Sequence, residues 1–90
     1  MSWSLSELKH KNTGLSVFDL ENDTIGSHYL FDENEEFIEH FDYGCDYGIH
    51  ENYELVHSVN SDFKFTQEQW NDLFRRLKEK AQNISKELYV

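Results

Sequence analysis

Residues 65–88 read FTQEQWNDLFRRLKEKAQNISKEL and contain the clearest structural pattern in the chain. Its large apolar residues recur every three or four positions, which is the spacing of one face of an α-helix. The residues on this face are Trp70, Leu73, Phe74, Leu77, Ala81, Ile84 and Leu88. On the opposite face, Asp72 and Arg76 are spaced for an i,i+4 ion pair. The pattern predicts an amphipathic helix whose apolar face packs against the rest of the chain.

The start of this helix carries two local signals. Thr66 followed by Gln69 is a capping box, in which each side chain accepts a hydrogen bond from the backbone of the other residue. Phe65 and Trp70 stand on either side of the cap at positions that suit a hydrophobic staple. Together with the apolar face, these signals predict a helix from about Gln67 to about Leu88.

A shorter helix is predicted at the N-terminus. Ser4 and Glu7 form a second capping box. Leu5 and Leu8 would then lie on one face of the helix. Residues 12–14, which end in a glycine, would stop it.

Four runs rich in β-forming residues lie between the two predicted helices. They are Leu15–Leu20, His28–Phe31, Glu36–Tyr43 and Tyr53–Val59. In the third run, strict alternation would place Phe37, Phe41 and Tyr43 on one face of the sheet. No crossover helix separates the runs, so an antiparallel sheet of about four strands is predicted, with the long C-terminal helix packed on one face. The expected fold is α+β, with two layers in a single domain covering residues 1–90.

The composition predicts a cytoplasmic protein. The single cysteine, Cys45, excludes an internal disulfide and suits a reducing compartment. Residues 1–5 lack the basic start and apolar run of a signal peptide, and no apolar stretch is long enough to cross a bilayer. Cys45 and the five histidines match no zinc-binding spacing, and no catalytic motif is present. We therefore expect no metal, no cofactor and no enzymatic activity.

Charge is the most distinctive property of the chain, which has a net charge of −10. Residues 12–63 contain thirteen carboxylates and neither Lys nor Arg, whereas the segments before and after them are slightly basic. The acidity therefore coincides with the predicted sheet and its loops. Within it, residues 42–44 read Asp-Tyr-Gly, and this tripeptide recurs at residues 46–48. Such a loop can present rigid rings and carboxylates to a basic partner.

The predicted partner-binding surface combines these acids with the two tyrosines of the repeat. Its residues are Asp32, Glu33, Glu35, Glu36, Glu39, Asp42, Tyr43, Asp46, Tyr47 and Glu51. In size, acidity and aromatic content, the segment from Asp32 to Glu51 resembles the small acidic inhibitors that bacteria and phages make against nucleic-acid enzymes. This class comprises nuclease-toxin immunity proteins, anti-restriction DNA mimics and anti-CRISPR proteins, and its members share surface chemistry without sharing a fold.

The resemblance implies an inhibitor that binds the basic cleft of a nuclease or another nucleic-acid-binding enzyme, with an immunity protein as the first hypothesis. The implied partner is a basic protein, with no direct contact to nucleic acid or membrane. A phage anti-CRISPR or anti-restriction DNA mimic is the first alternative. A non-inhibitory acidic accessory or assembly module is the second, and its interaction would use the cations of the last helix. Those cations are Arg75, Arg76, Lys78 and Lys80.

Overall fold

The computed structural model describes residues 2–41, 51–57 and 65–88. They form five strands and one long helix: β1 Trp3–His10, β2 Ser16–Asn22, β3 Ser27–Phe31, β4 Phe37–Phe41, β5 Tyr53–His57 and α1 Gln67–Leu88. The strands make one sheet in the order β4-β3-β2-β1-β5, and every neighbouring pair is antiparallel. The predicted α+β class, the antiparallel sheet and the bounds of the C-terminal helix are confirmed.

The N-terminal segment forms a strand, so the predicted N-terminal helix is wrong. β1 pairs with β2 on one side and with β5 on the other, which places it inside the sheet. Leu5 and Leu8 are both buried, in clusters on opposite faces of the sheet. A strand covered on both faces does not alternate apolar and polar residues, and its pairing with two neighbours outweighs a local capping signal. The glycine expected to stop a helix instead closes the β1–β2 hairpin: Gly14 has a φ of +73° and donates its N–H to the carbonyl of His10 at 2.8 Å.

The sheet has five strands where about four were expected, because the N-terminal segment supplies one more. β4 also departs from strict alternation, since its pairing with β3 shifts and leaves Ile38 as an extra residue. Phe37 consequently contacts Phe31 on the helix side, with ring centroids 6.0 Å apart, whereas Phe41 packs on the opposite face. The predicted grouping of Phe37 with Phe41 is therefore wrong, and Tyr43 lies outside the described residues.

The helix packs on one face of the sheet, as predicted. The core between the two layers consists of Leu5, Phe18, Leu20, Tyr29, Phe31, Trp70, Leu73, Leu77 and Ala81. The capping box is present, because Thr66 N donates to Gln69 Oε1 at 2.9 Å and Gln69 N donates to Thr66 Oγ1 at 3.1 Å. The staple is present too, with the rings of Phe65 and Trp70 centred 5.7 Å apart. Local signals at residues 65–70 thus fix where α1 begins.

The other face of the sheet holds a second apolar cluster. Leu8, Val17 and Leu30 are buried there, with Phe41 of β4 and Tyr53 of β5 packed against them. In a flat sheet, these two edge strands would lie about 19 Å apart, four strand spacings. Here the hydroxyl of Tyr53 donates to Glu39 of β4 at 3.5 Å. The sheet is therefore curled, and this face is its concave side.

Candidate interaction surface

The turn between β3 and β4 carries most of the predicted acidic residues that lie in the described part of the chain. Asp32 organises this turn, because its Oδ1 accepts hydrogen bonds from the backbone N–H of Asn34 at 2.8 Å and of Glu36 at 3.0 Å. The Asp32 carbonyl also accepts from the N–H of Glu35 at 2.9 Å. Glu35 has a φ of +63°, a left-handed conformation that is uncommon for a residue with a side chain. The turn is thus tightly defined by its own hydrogen bonds.

Glu35 joins this turn to the helix. Arg76 donates from Nε to Glu35 Oε1 at 2.9 Å and from Nη2 to Oε2 at 3.0 Å, while Lys80 Nζ donates to the Glu35 carbonyl at 2.7 Å. The paired hydrogen bonds from Arg76 hold the pKa of the Glu35 carboxyl below its usual value. The predicted ion pair between Asp72 and Arg76 is wrong, since Asp72 instead lies 3.3 Å from Arg75. Only the fold brings Glu35 within reach of Arg76, 41 residues away.

The ten predicted partner-binding residues fall into three groups. Four are exposed: Glu33, Glu36, Glu39 and Glu51. Two, Asp32 and Glu35, are half-buried and hydrogen-bonded within the chain. The remaining four, Asp42, Tyr43, Asp46 and Tyr47, lie outside the described residues. The described part of the surface therefore offers exposed carboxylates around β4 and at the start of β5, while Asp32 and Glu35 serve to build the turn.

The concave face contains a charged group that the sequence reasoning missed. The Nδ1 of His28 lies 3.0 Å from both carboxylate oxygens of Asp19, and its Nε2 lies 3.7 Å from Glu21 Oε2. Burial raises the pKa of the Glu21 carboxyl, and the charge of His28 opposes that effect. The β2–β3 register pairs Glu21 directly with His28, so an Asp-x-Glu strand followed by a hairpin was the signal available in the sequence. These two acids are turned toward a histidine and contribute less to the outward acidic surface.

Tyr53 closes the other end of the concave face. Its ring meets His10 edge to face, with centroids 5.0 Å apart, and its hydroxyl reaches Glu39 across the sheet. Burial, together with the nearby Glu39 carboxylate, raises the pKa of the Tyr53 phenol. Leu55 pairs with Leu8, and the Leu15 carbonyl accepts from the N–H of His10, so Leu15 and Leu55 lie near this end, and each is 64% exposed. The concave face is thus apolar at one end and charged at the other.

Charge is divided between the two layers of the structure. Among the described residues, the strands and their turns carry eleven carboxylates against two cations, Lys9 and Lys11. Residues 65–88 carry four carboxylates against five Lys and Arg. The sheet layer is therefore strongly negative, and the helix layer is close to neutral. Such a layer attracts positively charged molecules.

No protein-family model matches the chain, and no curated protein or solved structure is significantly similar to it. Within residues 2–41, 51–57 and 65–88, no three His, Cys, Asp or Glu side chains are grouped so that they could hold a metal ion. In the same ranges, no helix combines the length and apolar character needed to cross a membrane.

Proposed function

We propose that this protein is an acidic inhibitor that binds the basic cleft of a nuclease or another nucleic-acid-binding enzyme, and that it serves as an immunity protein against a nuclease toxin. In this proposal it acts in the cytoplasm by binding alone, without catalysis. The supporting observation is the division of charge between the layers: eleven carboxylates against two lysines in the described strands and turns, and near-neutrality in the helix.

The division of charge between the layers supports a role for the carboxylates in binding a partner rather than in solubility alone. Like charges crowded into one layer repel one another and lower the stability of the fold. Carboxylates spread over both layers would give the same solubility with less repulsion. Clefts that bind nucleic acid are lined with Lys and Arg, which neutralise phosphates. A surface of opposite charge speeds association with such a cleft by about 10–1,000-fold at low salt.

The exposed carboxylates of the proposal lie on both sides of the sheet: Glu39 reaches Tyr53 on the concave side, whereas Glu36 lies beside Lys80 of α1. Glu36 and Glu39 lie in or next to β4, and Glu51 precedes β5. The helix cations are a weaker basis for binding, because Arg76 and Lys80 hold Glu35 and Arg75 lies beside Asp72. An anti-CRISPR or anti-restriction role would use the same acidic surface and differs only in the enzyme that is bound.

The test begins with the immobilised protein and a lysate of cells that make it. Nucleic-acid enzymes that it retains are purified, and their catalysis and association rate are measured with and without one equivalent of the protein. We expect stoichiometric inhibition that duplex DNA competes away, with an association rate that falls as salt is added. The identity of the inhibited enzyme distinguishes a nuclease toxin from a CRISPR or restriction effector. Failure to inhibit any basic nucleic-acid enzyme overturns the proposal.

Two matched triple variants show which layer binds. Glu36→Gln, Glu39→Gln and Glu51→Gln remove three exposed charges from the sheet layer. Glu68→Gln, Glu79→Gln and Glu87→Gln remove three from the exposed face of α1. Both sets change the net charge equally, so a difference between them reports position. The sheet set should slow association about tenfold at low salt and the helix set much less. Equal effects contradict a directed acidic face.

A further inference from the structure

A groove of about 430 Å³ lies between the β3–β4 turn and the first half of α1. Its floor is apolar and consists of Phe18 from β2, Phe65 before the helix and Leu73 from the helix. The rings of Phe18 and Phe65 meet edge to face, with centroids 6.0 Å apart. The volume is within the range of small-ligand pockets and is large enough for one long side chain.

Both elements that form the groove contribute a carboxylate to its lining. Glu33 comes from the β3–β4 turn, where it is exposed, and Asp72 comes from α1. Glu35 and Arg76 also line the groove, but they form an ion pair with two hydrogen bonds, so their charges cancel. The lining thus has a net charge of about −2, from Glu33 and Asp72. Asp72 and Arg75 form a solvent-exposed ion pair at 3.3 Å. Such pairs contribute little free energy, so Asp72 can leave Arg75 and bind an incoming guanidinium.

We propose that this groove receives an arginine side chain of the basic partner, an inference that rests on the proposed function. The apolar floor accommodates the aliphatic stem and the flat face of the guanidinium. The two carboxylates then accept hydrogen bonds from opposite edges of the planar group, which presents five donors in a fixed fork. Lysine offers a compact, strongly hydrated charge and gains less from an apolar floor with acceptors on two sides.

The probe for this site is the peptide acetyl-(Gly-Gly-Arg)₃-amide, with the lysine peptide of the same length and charge as its control. Each is titrated into the ¹⁵N-labelled full chain, and backbone amide shifts are followed. We expect the arginine peptide to bind about threefold or more tightly than the lysine peptide. Its largest shifts should fall at Glu33, Gln69, Asp72 and Leu73. Equal affinities, or shifts spread evenly over the acidic sheet, overturn the assignment.

A double variant and a matched control test whether the groove carboxylates cause the preference for the arginine peptide. Glu33→Gln with Asp72→Asn removes the two groove carboxylates, whereas Glu79→Gln with Glu87→Gln removes the same charge elsewhere on α1. The groove variant should weaken the arginine peptide about threefold to tenfold and abolish its preference over lysine. The control should retain that preference. Because Glu33, Glu79 and Glu87 are exposed and Asp72 is only half-buried, amide spectra of both variants should show the unchanged fold.

The groove and the proposed function can fail separately. If the enzyme retained by the wild-type protein binds the groove variant and the control equally, the groove assignment is wrong and the acidic inhibitor stands. If no basic enzyme is inhibited but the arginine peptide still binds at Glu33 and Asp72, the proposed function is wrong and the groove remains a guanidinium site.

Discussion

Glu35 shows how one residue changes its role once the chain is folded. By sequence it is one acid among eight between positions 32 and 51. In the structure it adopts a left-handed backbone conformation, and Arg76 and Lys80 of the helix bind its carboxylate and carbonyl. It therefore fixes the β3–β4 turn against α1, close to the proposed arginine groove. Its neighbour Glu36 is exposed and makes no ion pair with the described residues.

Replacing Glu35 by Gln should lower the melting temperature by about 1–5 °C at pH 7, since the lost pair is partly exposed. The pKa of Glu35 is lower in the folded chain than in the unfolded chain. Its stabilising contribution is therefore complete above the unfolded pKa, near 4.5, and is lost as the pH falls through the folded pKa. Melting curves from pH 7 to pH 3 should show the wild type and Glu35→Gln converging at low pH. Glu36→Gln is the control, and an equal loss in that variant at pH 7 contradicts the assigned role.

At the scale of elements, the conformation of α1 is specified by residues within the helix, whereas that of β1 depends on strands elsewhere in the chain. α1 carries its own cap, staple and apolar face, and its bounds agree with the sequence prediction. β1 also carries a capping box and two leucines at helical spacing, yet it is a strand. Its conformation is decided by β2 and β5, the second of which is more than forty residues away in sequence. A local rule cannot detect such a partner.

Removal of the N-cap gives an element-scale test of α1. Thr66→Ala eliminates the hydrogen bond that Thr66 Oγ1 accepts from Gln69 N at 3.1 Å. We expect a loss of about 1 kcal/mol in the free energy of unfolding, measured by urea denaturation. Thr66→Ser retains the hydroxyl and should lose much less. If both variants behave alike, the cap does not stabilise α1.

The contact between β5 and β4 gives a second element-scale test, because it exists only in a curled sheet. The Glu39 carboxylate contributes to the raised pKa of the Tyr53 phenol. Glu39→Gln should therefore lower that pKa toward 10, which a spectrophotometric titration of the tyrosines measures. Glu36→Gln, which removes an exposed charge on the helix side of the sheet, should have a smaller effect. An identical titration in wild type and Glu39→Gln excludes the contact in solution.

At the scale of the whole molecule, the chain has a net charge of −10, and its described strands and turns carry eleven carboxylates against two lysines. A few internal contacts offset this repulsion, notably the ion pair of Arg76 with Glu35, while His28 hydrogen-bonds to Asp19. The remaining carboxylates repel one another across the sheet and its turns, at a cost in stability. The same field would attract the proposed basic partner, so added salt should raise stability and weaken that binding.

Screening of this repulsion should stabilise the fold. Raising sodium chloride from about 0.02 M to about 0.5 M shortens the Debye length from more than 20 Å to less than 5 Å. We expect the melting temperature to rise by several degrees over that range. The triple variant Glu36→Gln, Glu39→Gln and Glu51→Gln should gain less from salt than the wild type. A melting temperature that falls on adding salt contradicts a net repulsive surface.

Three properties could be predicted from the amino-acid sequence: the fold class, the long helix with its cap and apolar face, and the concentration of acids in residues 12–63. These properties follow from periodicity, capping and composition, which act within a few residues or are simple counts. Three other features became visible only in the folded chain: β1 is a central strand, the bulge at Ile38 separates Phe37 from Phe41, and the edge strands approach each other over the concave face. Folding also places Arg76 beside Glu35, and this ion pair neutralises one charge of the predicted acidic surface. Strand pairing and ion pairing depend on residues far apart in the chain, and only the assembled core sets their distances.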